Sequence, residues 1–167
     1  MIGTKLLRLK YTCEHPKAGT WGGEPSGSDD TVACVRVADF DRHRFRIKTG
    51  DLTMRDIPLR DRTSGMLKRG DLLIEKSGGG EHQPVGAVAQ YDRDDPAVSS
   101  NFLARIRARP GFHARFLTYV HASLYESRLT AKSTKQTTGI QNLDLYAYLN
   151  ERFGFRRTKN KRISRLT

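Results

Sequence analysis

The chain has 167 residues, enough for one domain with a real hydrophobic core, and its 37% hydrophobic content is ordinary for a soluble globular protein. No apolar run approaches the roughly 20 residues of a membrane helix, and the basic N-terminus lacks the apolar stretch and cleavage site of a secretory signal. Two cysteines, Cys13 and Cys34, are too few for a disulfide framework or a four-ligand zinc centre, and they read as reduced thiols of a cytoplasmic protein.

The net charge of +12 is unevenly spread: residues 151–167 hold seven Lys or Arg against one acid. A mildly basic body with a strongly basic end fits a phosphate-backbone partner. A solvated charged tail on a near-neutral domain fits the same numbers.

Residues 5–11 alternate weakly through Leu6, Leu7, Leu9 and Tyr11, as an opening strand or a short helix would. A glycine-rich polar loop, A-G-T-W-G-G-E-P-S-G-S-D-D, covers 18–30. V-A-C-V-R-V at 32–37 predicts a strand, rich in β-branched residues and bounded by turn formers. The charged D-F-D-R-H-R then leads to short extended pieces at Phe45, Ile47 and Leu52. Lys68, Arg69, Gly70 and Asp71 read as a turn into a buried strand at 72–74. V-G-A-V-A-Q-Y at 85–91 is its expected hairpin partner, with E-K-S-G-G-G-E-H-Q-P as a long polar tip.

Residues 98–106 read as one further strand, ending at Arg109 and Pro110. The single long helix is expected over 112–129, where Phe112, Phe116, Tyr119, Val120, Ser123, Leu124 and Leu129 fall near one face. Residues 132–142 are polar and broken by Gly139; residues 143–149 make a short strand or helical turn. The expected architecture is a strand-dominated α+β domain over 1–150 with one long helix in its C-terminal half. A basic tail over 151–167, disordered or the start of a truncated helix, would follow.

Two loops carry the functional reading. In E-K-S-G-G-G, three consecutive glycines let backbone approach a ligand closely, and Lys76 and Ser77 add a charge and a hydroxyl beside the amides of Gly78 and Gly79. It is not a nucleotide-binding loop, because no G-x-x-x-x-G-K-[ST] spacing exists and Lys76 precedes the glycines. A flexible hairpin tip accounts for the same glycines. In K-S-T-K-Q-T-T-G-I-Q-N-L, Lys132 and Lys135 suit phosphates. Gln136, Gln141 and Asn142 have the paired donor and acceptor that read adenine edges, though Asn142 equally suits a backbone-satisfying role. Thr137 and Thr138 offer a hydroxyl and a methyl. Gly139 is expected to turn the chain so that Ile140 enters the core and Gln141 faces out.

Elsewhere the residues favour structure over chemistry. Arg36 suits a structural ion pair with Asp39 or Asp41 and a DNA contact equally, His43 has no companions at metal-ligand spacing, and Trp21 reads as a packing residue more than a base-stacking one. Asp71, Glu75 and Lys76 have the composition of a nuclease metal site, but the adjacent Glu75 and Lys76 point to opposite faces of a strand. Asp94, Asp95, Pro96 and Ala97 lack the second proline and the aromatic of an adenine-methyltransferase loop. The chain is expected to be non-catalytic, with no cofactor and no metal.

Six blocks in order resemble the target-recognition domain of the DNA specificity (S) subunit of type I restriction–modification enzymes. They are G-T-W-G-G-E-P (19–25), C-V-R-V-A-D-F (34–40), G-D-L-L-I-E-K-S-G-G-G (70–80), P-V-G-A-V (84–88), S-N-F-L-A-R-I-R (100–107) and T-T-G-I-Q-N-L-D-L (137–145). The resemblance implies a module that binds double-stranded DNA and reads one half of a bipartite target. It also implies partners: a methyltransferase (M) subunit, a restriction (R) subunit reached through the complex, and a second half-specificity subunit, but no membrane. A complete S subunit resembles two such domains joined by long spacer helices. This sequence has one, and beyond Leu149 it lacks the expected proline-rich step into a helix. The resemblance therefore implies a half-size subunit or, as the alternative, an inactive truncated remnant or a methyltransferase-binding decoy.

Overall fold

The computed structural model describes residues 5–80, 83–137 and 139–155. Strand β1 (Lys5–Arg8) runs straight into a 3-10 turn at Leu9–Tyr11, so both readings of that stretch are realised in succession. Next come β2 (Lys17–Ala18), β3 (Thr31–Val35), β4 (Phe40–Asp41), β5 (Arg46–Ile47) and β6 (Thr53–Asp56). Helix α1 (Leu59–Gly65) starts directly after Pro58 and buries none of its residues, so no apolar period announces it in the sequence. Strands β7 (Leu72–Glu75), β8 (Ser77–Gly78), β9 (Val88–Gln90), β10 (Ala97–Ser99) and β11 (Leu103–Ile106) lead to helix α2 (Ala114–Glu126). The described chain closes with β12 (Thr134–Thr137), β13 (Ile140–Leu143), α3 (Leu145–Leu149) and β14 (Arg152–Phe155).

A six-stranded sheet in the order β2-β11-β7-β9-β5-β4 forms the centre of this α+β fold. In β7 the unbroken L-L-I run is buried on both faces: Leu72 and Ile74 enter one core cluster and Leu73 the other. That is why the strand reads as continuous apolar rather than alternating. On one face α2 and α3 supply Leu117, Ala122, Leu124, Tyr148 and Leu149; on the other, β3 and β10 supply Ala33, Val35 and Ala97. Burying each of Leu72, Leu73 and Ile74 stabilises the domain by about 1.5–3 kcal/mol. The expected hairpin is present, β7 pairing antiparallel with β9 from Leu72 opposite Gln90 to Ile74 opposite Val88.

Several expectations are corrected. Residues 98–106 are two strands in two sheets: β10 runs parallel to β3, whereas β11 pairs with β7. The break is held by Leu103 N–H donating to the Ser100 carbonyl at 3.0 Å. Gly19 fits against it because a Cβ there would lie 2.2 Å from the carbonyl oxygens of Ser99 and Ser100. Helix α2 is shorter than 112–129 and turned relative to the expected face. Leu117, Thr118, His121 and Ala122 are buried, while Phe116 and Tyr119 are 41% and 50% exposed. Small Ala122 and Thr118 let the helix approach β9, and Tyr119 instead meets Phe45 edge-on and lies under the Arg115 guanidinium.

The segment expected as a tail begins with a strand, because β14 pairs antiparallel with β1 from Arg152 opposite Arg8 to Phe155 opposite Lys5. Residues 156–167 lie outside the described residues. Cys13 and Cys34 are free and buried, and burial pushes the Cys34 thiol up to about 11. Among the described residues, no helix is long and apolar enough to cross a membrane.

Candidate nucleic-acid interface

The two polar loops meet. β8, at the start of the glycine loop, adds as an edge strand to the β12–β13 hairpin, with Gly78 opposite Gln141 and Ser77 opposite Asn142. Ser77 Oγ donates to Asn142 Oδ1 at 2.5 Å across 65 residues of sequence. The backbone of Lys76 fixes the junction: its N–H donates to the Phe102 carbonyl at 2.9 Å, and its carbonyl accepts from Leu143 N–H at 2.8 Å.

Gln141 and Ile140 are inverted relative to expectation. Leu143 is buried in the core, and strand alternation puts Gln141 on the same side as Leu143 and Ile140 on the other. Ile140 is accordingly exposed. The Gln141 amide clamps the glycine loop, Oε1 accepting from Val85 N–H and Nε2 donating to the Gly80 carbonyl, both at 3.3 Å. Both ends of its amide are thus engaged on backbone of the glycine loop. Gly79 is the residue this loop requires, with φ of 63° and a Cβ position only 2.9 Å from the Gln83 carbonyl oxygen. Gln141→Ala is expected to cost about 1–3 kcal/mol and to speed amide hydrogen exchange at Val85. Unchanged exchange there would mean the clamp is idle.

Register sorts the remaining candidates. Lys135, Asn142 and Ser77 share one face of this sheet; Gln136, Gln141 and Gly78 share the other. Lys135 pairs with Asp144 at 3.0 Å. The Asp144 carboxyl is held below the usual range, first by the Ala147 N–H it accepts at the start of α3 and then by Lys135. Lys132 and Gln136 are exposed, and neither their side chains nor the Lys76 ammonium has a hydrogen bond or ion pair among the described residues. Thr137 pairs through its backbone with Ile140, and Thr138 lies outside the described residues. Unengaged lysine ammonium groups suit phosphate contact, and an exposed glutamine amide on a strand suits base-edge reading.

The acids weighed as a metal site or a methyltransferase loop, and Asp92 beside them, all lie against arginines. Asp71 is bound by Arg107, Glu75 lies 3.5 Å from Arg42, and Asp92, Asp94 and Asp95 pair with Arg46, Arg69 and Arg93. Burial raises the Glu75 carboxyl, and Arg42 partly opposes that. Arg36 pairs with Asp39 at 3.4 Å, one of the two partners expected for it. Trp21 packs on the cluster of Cys34, Ile57 and Val98, with the Arg55 guanidinium 4.4 Å above its ring. No group of three metal-ligating side chains occurs among the described residues.

No family model matches the chain, and no curated protein matches it. Solved structures do. A chain from a type I R-M system, solved to explain complex assembly and conformational transition, superposes with a TM-score of 0.59 at 17% identity, covering 92% of this chain and 34% of that one. The type I restriction-modification S subunit from M. genitalium gives 0.58 at 11% identity, covering 93% and 35%. The HsdS subunit from Thermoanaerobacter tengcongensis gives 0.51 at 21% identity, covering 88% and 36%. The chain spans about a third of the length of each of these proteins. Over about nine-tenths of its length, it has the fold found in specificity subunits of type I restriction–modification systems.

Proposed function

We propose that this domain is a non-catalytic DNA-recognition module of a type I restriction–modification system. It reads one half of a bipartite double-stranded target and directs separate methyltransferase and restriction subunits to it. The observation that carries this reading is the joining of β8 to the β12–β13 hairpin. Two polar loops far apart in sequence become one surface there, with Lys76, Lys132 and Gln136 available to a ligand. The shared fold supports it. Lys76 and Lys132 bind phosphates, Gln136 reads a base edge, and Ser77, Gly78, Gly79, Gln141 and Asn142 hold the ribbon to the glycine loop.

The test is binding of the purified chain to a random duplex library over a range of salt. Lys132→Ala is expected to weaken binding to all sequences alike and to lower the salt slope by about 1. Gln136→Ala is expected to relax preference at one base position, costing about 1–3 kcal/mol of discrimination. Salt-insensitive or absent binding would favour an inert remnant or a methyltransferase-binding decoy. Co-expression with a methyltransferase subunit and mapping of methylated adenines separates those two.

A further inference from the structure

Beside the interface, Trp21, Val37 and Phe102 wall a cavity of about 370 Å3 that Ser77 and Gly78 of β8 also border. Its size lies within the ~300–1,000 Å3 typical of small-molecule sites. Two residues at this cavity hold a buried polar atom without a hydrogen-bond partner among the described residues, Arg36 Nε and Ser100 Oγ, and the buried Glu75 Oε2 beside them has only the Arg42 guanidinium, 3.5 Å away. Glu75 and Ser100 are only 3% and 1% exposed. Buried polar atoms are nearly always paired, and one left alone costs about 1–3 kcal/mol. Together they place donor and acceptor atoms around a single cavity.

Charge narrows the ligand. A phosphate would face the Glu75 carboxylate. A cationic group would face Arg36, Arg42 on Glu75, and Arg55 on the Trp21 ring. A neutral planar ring with polar edges meets neither repulsion, and Phe102, 44% exposed, offers it a stacking surface. We infer that the cavity takes one nucleobase bearing an exocyclic amino group, turned out of the duplex held at the adjacent sheet. The amino N–H donates to Glu75, Arg36 Nε donates to a ring nitrogen or carbonyl, and the Ser100 hydroxyl serves either side. Thymine, without an amino group, is the disfavoured base. The source of the base rests on the DNA-binding reading above; the chemistry of the cavity does not. Extruding a base costs a few kcal/mol, least from a mismatch or a single strand.

Trp21 is the only tryptophan, so its indole N–H gives a single nitrogen–proton resonance that reports on this wall. The full chain is titrated with deoxycytidine, deoxyadenosine, deoxyguanosine and thymidine. Saturable movement of that resonance by at least one amino-bearing nucleoside is expected, with thymidine binding at least about tenfold more weakly. Phe102→Ala and Glu75→Gln are each expected to weaken the response about tenfold, and Phe102→Ala changes a partly exposed side chain if the Glu75 variant fails to fold. No movement with any nucleoside, or equal movement with thymidine, overturns the proposal. Duplex binding without a nucleoside response overturns the cavity alone. A nucleoside response without duplex binding supports the cavity and overturns the DNA reading of the sheet.

Discussion

Asp71→Ala is expected to destabilise the domain by about 3 kcal/mol, seen as a lowered urea midpoint with an unchanged slope. Asp71 is 1% exposed. Its Oδ1 accepts from Arg107 Nε at 2.6 Å, and its Oδ2 accepts from the terminal guanidinium nitrogen of Arg107 at 2.7 Å and from Lys68 N–H at 2.8 Å. One carboxylate therefore closes the turn into β7 and ties β7 to the end of β11. Removing one member of such a pair strands the other charge, which costs about 3–5 kcal/mol when buried. Arg107 keeps 24% exposure, and water reaching it argues for the low end. Asp71→Asn keeps an acceptor for Lys68 and is expected to lose less. A loss below about 1 kcal/mol for Asp71→Ala would show that the pair merely decorates the turn.

Acid is expected to weaken the domain through His121. This side chain is fully buried within the α2–α3 core, its Nδ1 lies 2.6 Å from Tyr148 Oη, and its Nε2 has no partner among the described residues. Burial pushes its pKa down to about 4, against roughly 6.5 in an unfolded chain. Between those values the unfolded state binds the extra proton, so stability rises with pH there. The contribution is fully present above about 6.5 and is lost progressively as pH falls toward 4, a swing of about 3 kcal/mol. Urea titrations from pH 7 to pH 4 compare the native chain with His121→Gln, which cannot titrate. The stability of the native chain minus that of the variant is expected to fall by about that amount as pH drops through this window, and to change in this window alone. A pH-independent difference would remove His121 as the cause.

Much of the fold is legible in the residues, for reasons that differ by element. Strands β3 and β7 are readable because both faces are buried, so V-A-C-V and L-L-I stand out as apolar. Helix α1 is not, since L-R-D-R-T-S-G buries nothing; it is held by Arg62 bonding to Asp30 rather than by a core stripe. The split between β10 and β11 is likewise hidden, because S-N-F carries no glycine or proline and the break depends on the distant Gly19. At the interface, the two loops were legible as polar and glycine-bearing, but their joining was not. A period of two leaves open which alternate residues face the core, and Leu143 settles it in favour of an inward Gln141. The cavity beside Trp21 draws on four separate stretches of chain, and no spacing within any one of them announces it.

The pairing of β1 with β14 has a consequence for how such a domain attaches to anything else. Lys5 and Phe155 face each other across one ladder, so the two ends of the described chain lie side by side. Neighbouring strands are about 4.8 Å apart, a gap that a bent helix, a loop or a second body can bridge without distortion. The β8–β12–β13 sheet belongs to a different ladder from this pair of strands. On the DNA-recognition reading proposed above, a module built this way can be exchanged for another of different specificity while the geometry of its carrier is left undisturbed.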